Sequence, residues 1–322
     1  MYKILFDNKI NLIFLLISLG SIVFLLGIDS SLITSTQWIH HAGSDISQTH
    51  MGWFFFKNDL WRFPLGSNPN YGDGIGSSII FSDSIPILAL LFKFINPVLP
   101  DNFQYISIWY FMCFFLQMYF SYKILNEFTK NNIFSFVGSL FFLIAPIFIY
   151  RLDMHPSLAG QWILLLTLYL GLTKIYQESK LSWIFVIALS SLIMFYFTMI
   201  IAISFAILRI SNFFIYKESF FQLTKDFIII FVSLLLTMYV VGYFEIRTFD
   251  ALGPGYGALK LNLLSIFDAV NPTKDLAWSW VLPDIKVTPE ESVEGFNYLG
   301  LGQILMILIS LILFVKKKIL KI

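Results

Sequence analysis

The chain has 322 residues, 57% of them hydrophobic and 13% charged, and its mean hydropathy of +0.77 excludes an ordinary soluble domain, in which about a quarter of residues are charged. A net charge of +1 with dispersed lysines excludes a nucleic-acid-binding surface. The single cysteine, Cys113, excludes an intrachain disulfide and reads as a small buried apolar residue. What remains is a polytopic membrane protein.

The first apolar run, residues 10–28, is flanked by Lys3 and Lys9 as a signal peptide would be. It is long enough to cross about 30 Å of hydrocarbon and lacks a small-residue cleavage site, so it reads as a retained anchor. Residues 43–56 follow and place Asp45 at a membrane surface, where the aromatic run after Gly52 holds the chain. Asp45-Ile46-Ser47-Gln48 has the pattern of a capping box, which fixes a carboxylate at a helix N-terminus and keeps it ionised by the helix dipole. A carboxylate held that way can take a proton from an attacking hydroxyl, which makes Asp45 the candidate catalytic base. His40, His41 and His50 lie close to Asp45, but their spacing matches no zinc pattern such as His-x-x-x-His, and solvated loop histidines are the preferred reading.

Trp53, Phe56, Leu60 and Phe63 recur at helical spacing and predict an interfacial amphipathic helix. Residues 63–76 are dense in turn formers, without the spacing of a phosphate loop. Residues 79–95, a run of about 17, are at the lower limit for spanning. If they do not cross, the loops at 123–130, 174–180, 209–226 and 316–321 share a side with Lys3 and Lys9, as the positive-inside rule expects. They therefore read as an outer juxtamembrane or re-entrant helix, broken by Pro86 and carrying Asp83 near its start.

The remaining apolar runs are 106–125, 133–150, 158–175, 183–197, 199–214, 227–244 and 299–315. Residues 183–214 as one helix would be about 48 Å long, well beyond a bilayer, so the run is split near Phe197-Thr198. The expected fold is one all-α domain over 1–322, a bundle of about eight transmembrane helices. Both termini are expected in the cytoplasm, and the outer loops at 29–104, 151–156 and 245–298.

Every histidine falls on the outer side of that bundle. The short turn Tyr150-Arg151-Leu152-Asp153-Met154-His155-Pro156 carries a second carboxylate, Asp153, and His155, with an Arg151–Asp153 ion pair as the plainer account. Arg247 suits a phosphate bidentately, and a local pair with Glu245 competes. A weakly held divalent cation such as magnesium or manganese has no sequence signature and is left open.

One spanning helix, a large outer loop with an acidic residue near its start, further spans and a short outer loop with a second acid together resemble the GT-C class of membrane glycosyltransferases. Gly43-Ser44-Asp45 with Gln48, His50-Met51-Gly52-Trp53, Phe63-Pro64-Leu65-Gly66-Ser67-Asn68-Pro69, Ser82-Asp83-Ser84-Ile85-Pro86 and Glu294-Gly295-Phe296-Asn297-Tyr298-Leu299-Gly300 are similar to a largely uncharacterised bacterial membrane-protein family of that fold. The resemblance implies a bacterial inner-membrane enzyme that uses a polyprenyl-phosphate-linked sugar as donor and a glycan, lipid or protein acceptor on the extracytoplasmic side. It implies inverting transfer with Asp45 as base and puts Asp153 at the second-loop acidic position; Gln48, His50 and Trp53 from the motifs beside Asp45, with His155 and Arg247 from the residue reading above, complete the expected substrate-binding set. The chain departs from the class pattern in following Asp45 with Ile46 rather than a second acid. The competing class is a non-enzymatic lipid or sugar transporter or flippase. Such proteins place charges within spans at the midplane, whereas here charges sit at span ends.

Overall fold

The computed structural model describes residues 2–39, 45–71, 77–245, 262–271, 276–285 and 296–319. They are largely helical and fall into two compact units, one drawn from Met1–Phe142 with Arg151–Arg247 and the other from Leu143–Tyr150 with Thr248–Ile322. The helices are α1 (Tyr2–Leu26), α2 (Asp45–Asn58), α3 (Pro86–Phe94), α4 (Ile106–Thr129), α5 (Asn132–Leu143), α6 (Pro146–Met154), α7 (Trp162–Leu172), α8 (Lys174–Gln177), α9 (Lys180–Ser191), α10 (Phe195–Tyr216), α11 (Phe220–Val241) and α12 (Leu301–Ile319).

Three of these are long and apolar enough to cross a membrane, at Lys9–Leu26, Phe195–Tyr216 and Phe220–Val241. Asn132–Leu143 with Pro146–Leu152 makes a fourth if the pair is one span. Pro156–Leu172, Lys180–Ser191 and Leu301–Lys316 are apolar but shorter. At 24 residues α4 is long enough, yet Gln117, Lys123 and its tyrosines lower its hydropathy. The expected division of 183–214 is present, but it falls at 192–194, ahead of Phe197-Thr198. There Leu192 ends α9 and its carbonyl accepts from Ile87 N at 2.9 Å.

In the first unit α4 is the central post, with Trp109, Tyr110, Cys113, Phe114 and Met118 fully buried. On one side α1 packs through Phe14 against Tyr122, with ring centroids 5.8 Å apart. On the other α7 packs through Trp162 against Trp109 at 6.4 Å. Helices α9, α10 and α11 pack together around Trp183, Phe205 and Phe227. Ser179 and Ser219 cap the N-termini of α9 and α11 by accepting from Ser182 N and Gln222 N. Near those ends Arg209 bridges Glu218 at 2.5 Å and Asp226 at 2.9 Å, and Lys180 joins Asp226 at 2.6 Å.

The segment read as an amphipathic helix through Phe63 ends at Asn58, because Trp53 and Phe56 are fully buried whereas Leu60 and Phe63 lie beyond α2 and are exposed. Residues 79–95 form no continuous helix. A 3-10 turn, Ile79–Ser82, precedes α3, and Pro86 starts α3 rather than breaking it, since a proline at the first helical position lacks only an N–H that would be unsatisfied anyway. The loop before it is tied to the end of α11: Leu65 N donates to Val240 O at 2.8 Å and Ser78 Oγ to Val241 O at 3.1 Å.

In the second unit Val270–Asn271 and Leu276–Ala277 form a short antiparallel ladder, and Trp278 N donates to Ala269 O at 2.7 Å. Phe296 packs between Tyr150 and Trp278, with centroids at 4.9 and 5.9 Å. The aromatic residues of the Phe296-Asn297-Tyr298 motif are buried and structural in this unit.

Candidate functional site

Asp45 stands in the first turn of α2, where the helix dipole favours a negative charge. His155 Nδ1 donates to its Oδ2 at 2.9 Å, with the histidine side chain 22% and the carboxylate side chain 37% exposed, so the pair is open to a ligand. His155 is extended after α6, and Pro156 opens a 3-10 turn, Pro156–Ala159. α4 fixes the chain on both sides of it: Trp109 Nε1 donates to Pro156 O at 2.6 Å, and the Tyr110 hydroxyl donates to Leu152 O.

A second carboxylate, Asp83, reaches the same place from the turn ahead of α3. Ser157 Oγ donates to its Oδ1, and its Oδ2 is buried without a hydrogen-bond partner among the described residues. The Asp83 backbone is left-handed, at φ 55 and ψ 25, and so is that of Ile85, at φ 48 and ψ 71. For a β-branched residue such as Ile85 that conformation is strained by roughly 1–3 kcal/mol.

A hydroxyl network holds this turn against α2. Thr49 Oγ1 donates to Asp83 O at 3.2 Å, Ser84 Oγ donates to Thr49 O at 2.8 Å, and the Tyr105 hydroxyl donates to Ser84 O. Gly52 makes the approach feasible, since a Cβ there would fall well inside 3.0 Å of Ser82 Oγ and Ser84 Oγ. Burial pushes the Asp83 carboxyl up to about 6, and the nearby Asp45 carboxylate pushes the same way, while Ser157 and His155 oppose them.

Of the residues expected around the substrates, His155 is joined to Asp45 as described. Gln48 is exposed on α2 one turn from Asp45. His50 is buried. Trp53 points into the core, where its Nε1 donates to Phe103 O at 3.2 Å and its ring meets Tyr105 edge-on, so it acts through packing. The Asp153 side chain, Arg247, His40 and His41 lie outside the described residues. Asp83 was not among the residues singled out for the site; the signal for it was its place in Ser82-Asp83-Ser84-Ile85-Pro86, where two hydroxyls flank a carboxylate just before a helix-starting proline.

Among the described residues no group of three or more His, Cys, Asp or Glu side chains is arranged to hold a metal ion. The arrangement can accept a proton at Asp45, hold that carboxylate through His155 and keep a second carboxylate, Asp83, near both.

A family model described as "Domain of unknown function (DUF6311)" matches residues 15–322. Comparison with curated proteins and with solved structures gives no match.

Proposed function

We propose that this chain, which belongs to the DUF6311 family, is a membrane glycosyltransferase that moves a sugar from a polyprenyl-phosphate donor to an acceptor hydroxyl on the extracytoplasmic side. The observation that carries it is the Asp45–His155 pair at 2.9 Å, brought together from two segments far apart in sequence and left accessible. The eight-span GT-C-like bundle in a bacterial inner membrane belongs to this proposal. So does the placement of Asp153 and Arg247 beside the donor.

Asp45 takes the proton of the acceptor hydroxyl as that oxygen bonds to the anomeric carbon. The bond from that carbon to the phosphate oxygen breaks, and the lipid phosphate leaves with the electron pair, inverting the centre. His155 orients the carboxylate through Nδ1, and Arg247 neutralises the leaving phosphate. A lipid or sugar transporter is the competing account. The buried charges of α10 and α11, Arg209 and Asp226, are paired with Glu218 and Lys180 rather than aimed at a midplane site.

The test compares Asp45→Asn with Asp153→Asn in purified protein, reading donor binding, melting temperature and sugar transfer together. Asn is about as good as Asp at a helix N-terminus, so Asp45→Asn should fold and bind donor. Its transfer should fall by roughly 10²- to 10⁴-fold. Full transfer by Asp45→Asn removes the assignment, and loss only in Asp153→Asn moves the base to the second loop.

A further inference from the structure

Asp83 has a structure built around it that its neighbours in sequence do not need. Two left-handed residues, Asp83 and Ile85, flank Ser84, and the turn is clamped by Thr49, Ser84 and Tyr105 and closed onto Gly52. Strain of this kind persists only where surrounding contacts over-determine it, and it concentrates at working sites. Its effect here is to bring a carboxylate to the turn that carries His155, with Ser157, two residues further on, holding Oδ1.

The other oxygen, Oδ2, is buried and has no donor among the described residues. A buried carboxylate oxygen without a donor is costly in its charged form, and a nearby positive charge offsets that cost. Among the described residues, the ionisable side chains that act on Asp83 are Asp45 from α2 and His155 from the turn after α6, and the Tyr105 hydroxyl adjoins it through Ser84 O ahead of α4. Only His155 among them can become positive.

Resting on the assignment of Asp45 as base, we propose that Asp83 is a positioning residue of the same site: its carboxylate balances the charge His155 acquires when the acceptor's proton, taken by Asp45, is passed to the imidazole. In the reacting tautomer His155 carries its proton on Nε2 and presents an unprotonated Nδ1 to Asp45 Oδ2, so the proton passes from the acceptor oxygen to Oδ2 and across the 2.9 Å contact to Nδ1. The Nε2 proton then leaves the imidazolium for the departed phosphate or for water, which leaves His155 with its proton on Nδ1. No oxidant, reductant or further reactant enters. Asp45 and Asp83 then both act on one cation, and the site holds one net negative charge instead of two.

The experiment is histidine-labelled carbon NMR of the full-length protein in detergent without substrate, with His155→Gln to identify the resonance, together with transfer against pH. In Asp83→Asn the titration of His155 should move to lower pH, because the anion that favours imidazolium is gone. Asp83→Glu, which keeps the charge, should stay close to wild type. Transfer by Asp83→Asn should drop at least tenfold, with the acid limb of the profile displaced to lower pH. An unmoved His155 titration in folded Asp83→Asn overturns the proposal whatever the activity. A moved titration with no transfer by the wild-type protein leaves the charge balance standing and removes the transferase assignment instead.

Discussion

Replacing Asp83 by Asn should change the pH dependence of stability in a direction set by burial. The Asp83 carboxyl is raised from 3.8 to about 6 in the folded protein. A group whose folded value is raised binds its proton more tightly when folded, so the cost falls on the charged form. That cost is absent below pH ~4, grows as pH rises from about 4 to 6, and is fully present above. About two units correspond to roughly 3 kcal/mol. Asn keeps an oxygen to accept from Ser157 and removes the titration, so any fixed effect of the change appears as a constant offset. The assay is reversible denaturation in detergent at several pH values between 3.5 and 8. Asp83→Asn should gain on wild type by on the order of 2–3 kcal/mol across pH 4 to 6 and then hold level. A difference that is flat across that window would refute the burial of a titrating carboxyl at this position.

Other consequences of the fold can be checked by single changes. Gly52→Ala places a Cβ against Ser82 and Ser84 and should cost about 1–3 kcal/mol, read as a lowered melting temperature, with transfer falling too as the Asp83 turn is pushed off α2. Asp226→Ala strips a 2.9 Å partner from buried Arg209 and a 2.6 Å partner from Lys180; a loss of about 3 kcal/mol is expected, little relieved by salt, and denaturation checks it. The expected topology puts the turn between α4 and α5 in the cytoplasm. In a Cys113→Ser background, Asn132→Cys should react with an impermeant thiol reagent only after cells are permeabilised, and labelling of intact cells contradicts it.

The elements that could be read from sequence are those whose information is local. Lys9–Leu26 and Phe220–Val241 are long and strongly apolar on average, and hydropathy alone identifies them. Asp45 was legible as the start of a helix, and His155 as a histidine in a short turn that charge bias assigns to the same side as Asp45. Their contact rests on α4 pinning that turn through Trp109 and Tyr110, a long-range matter that no spacing encodes.

Asp83 was hidden for a related reason. Its left-handed backbone comes from hydroxyl bonds to α2 and from the space at Gly52, whereas Asp and Ile have no intrinsic preference strong enough to announce it. Trp53 shows the opposite difficulty. An aromatic residue beside a candidate site reads equally well as ligand contact or core, and here its bond to Phe103 O holds it in the core. Pro86 misled in a third way, since a proline inside an apolar run marks a helix start as readily as a break.

The measurement that bears most directly on the central claim is a structure of the full-length protein in a lipid nanodisc with a polyprenyl-phosphate sugar bound. The account predicts the sugar beside the Asp45–His155 pair, its anomeric carbon facing the Asp45 carboxylate with room for an acceptor hydroxyl between them, and the phosphate on the far side. A donor bound with its sugar away from Asp45, or seated at the Arg209–Asp226 end of α10 and α11, would contradict it.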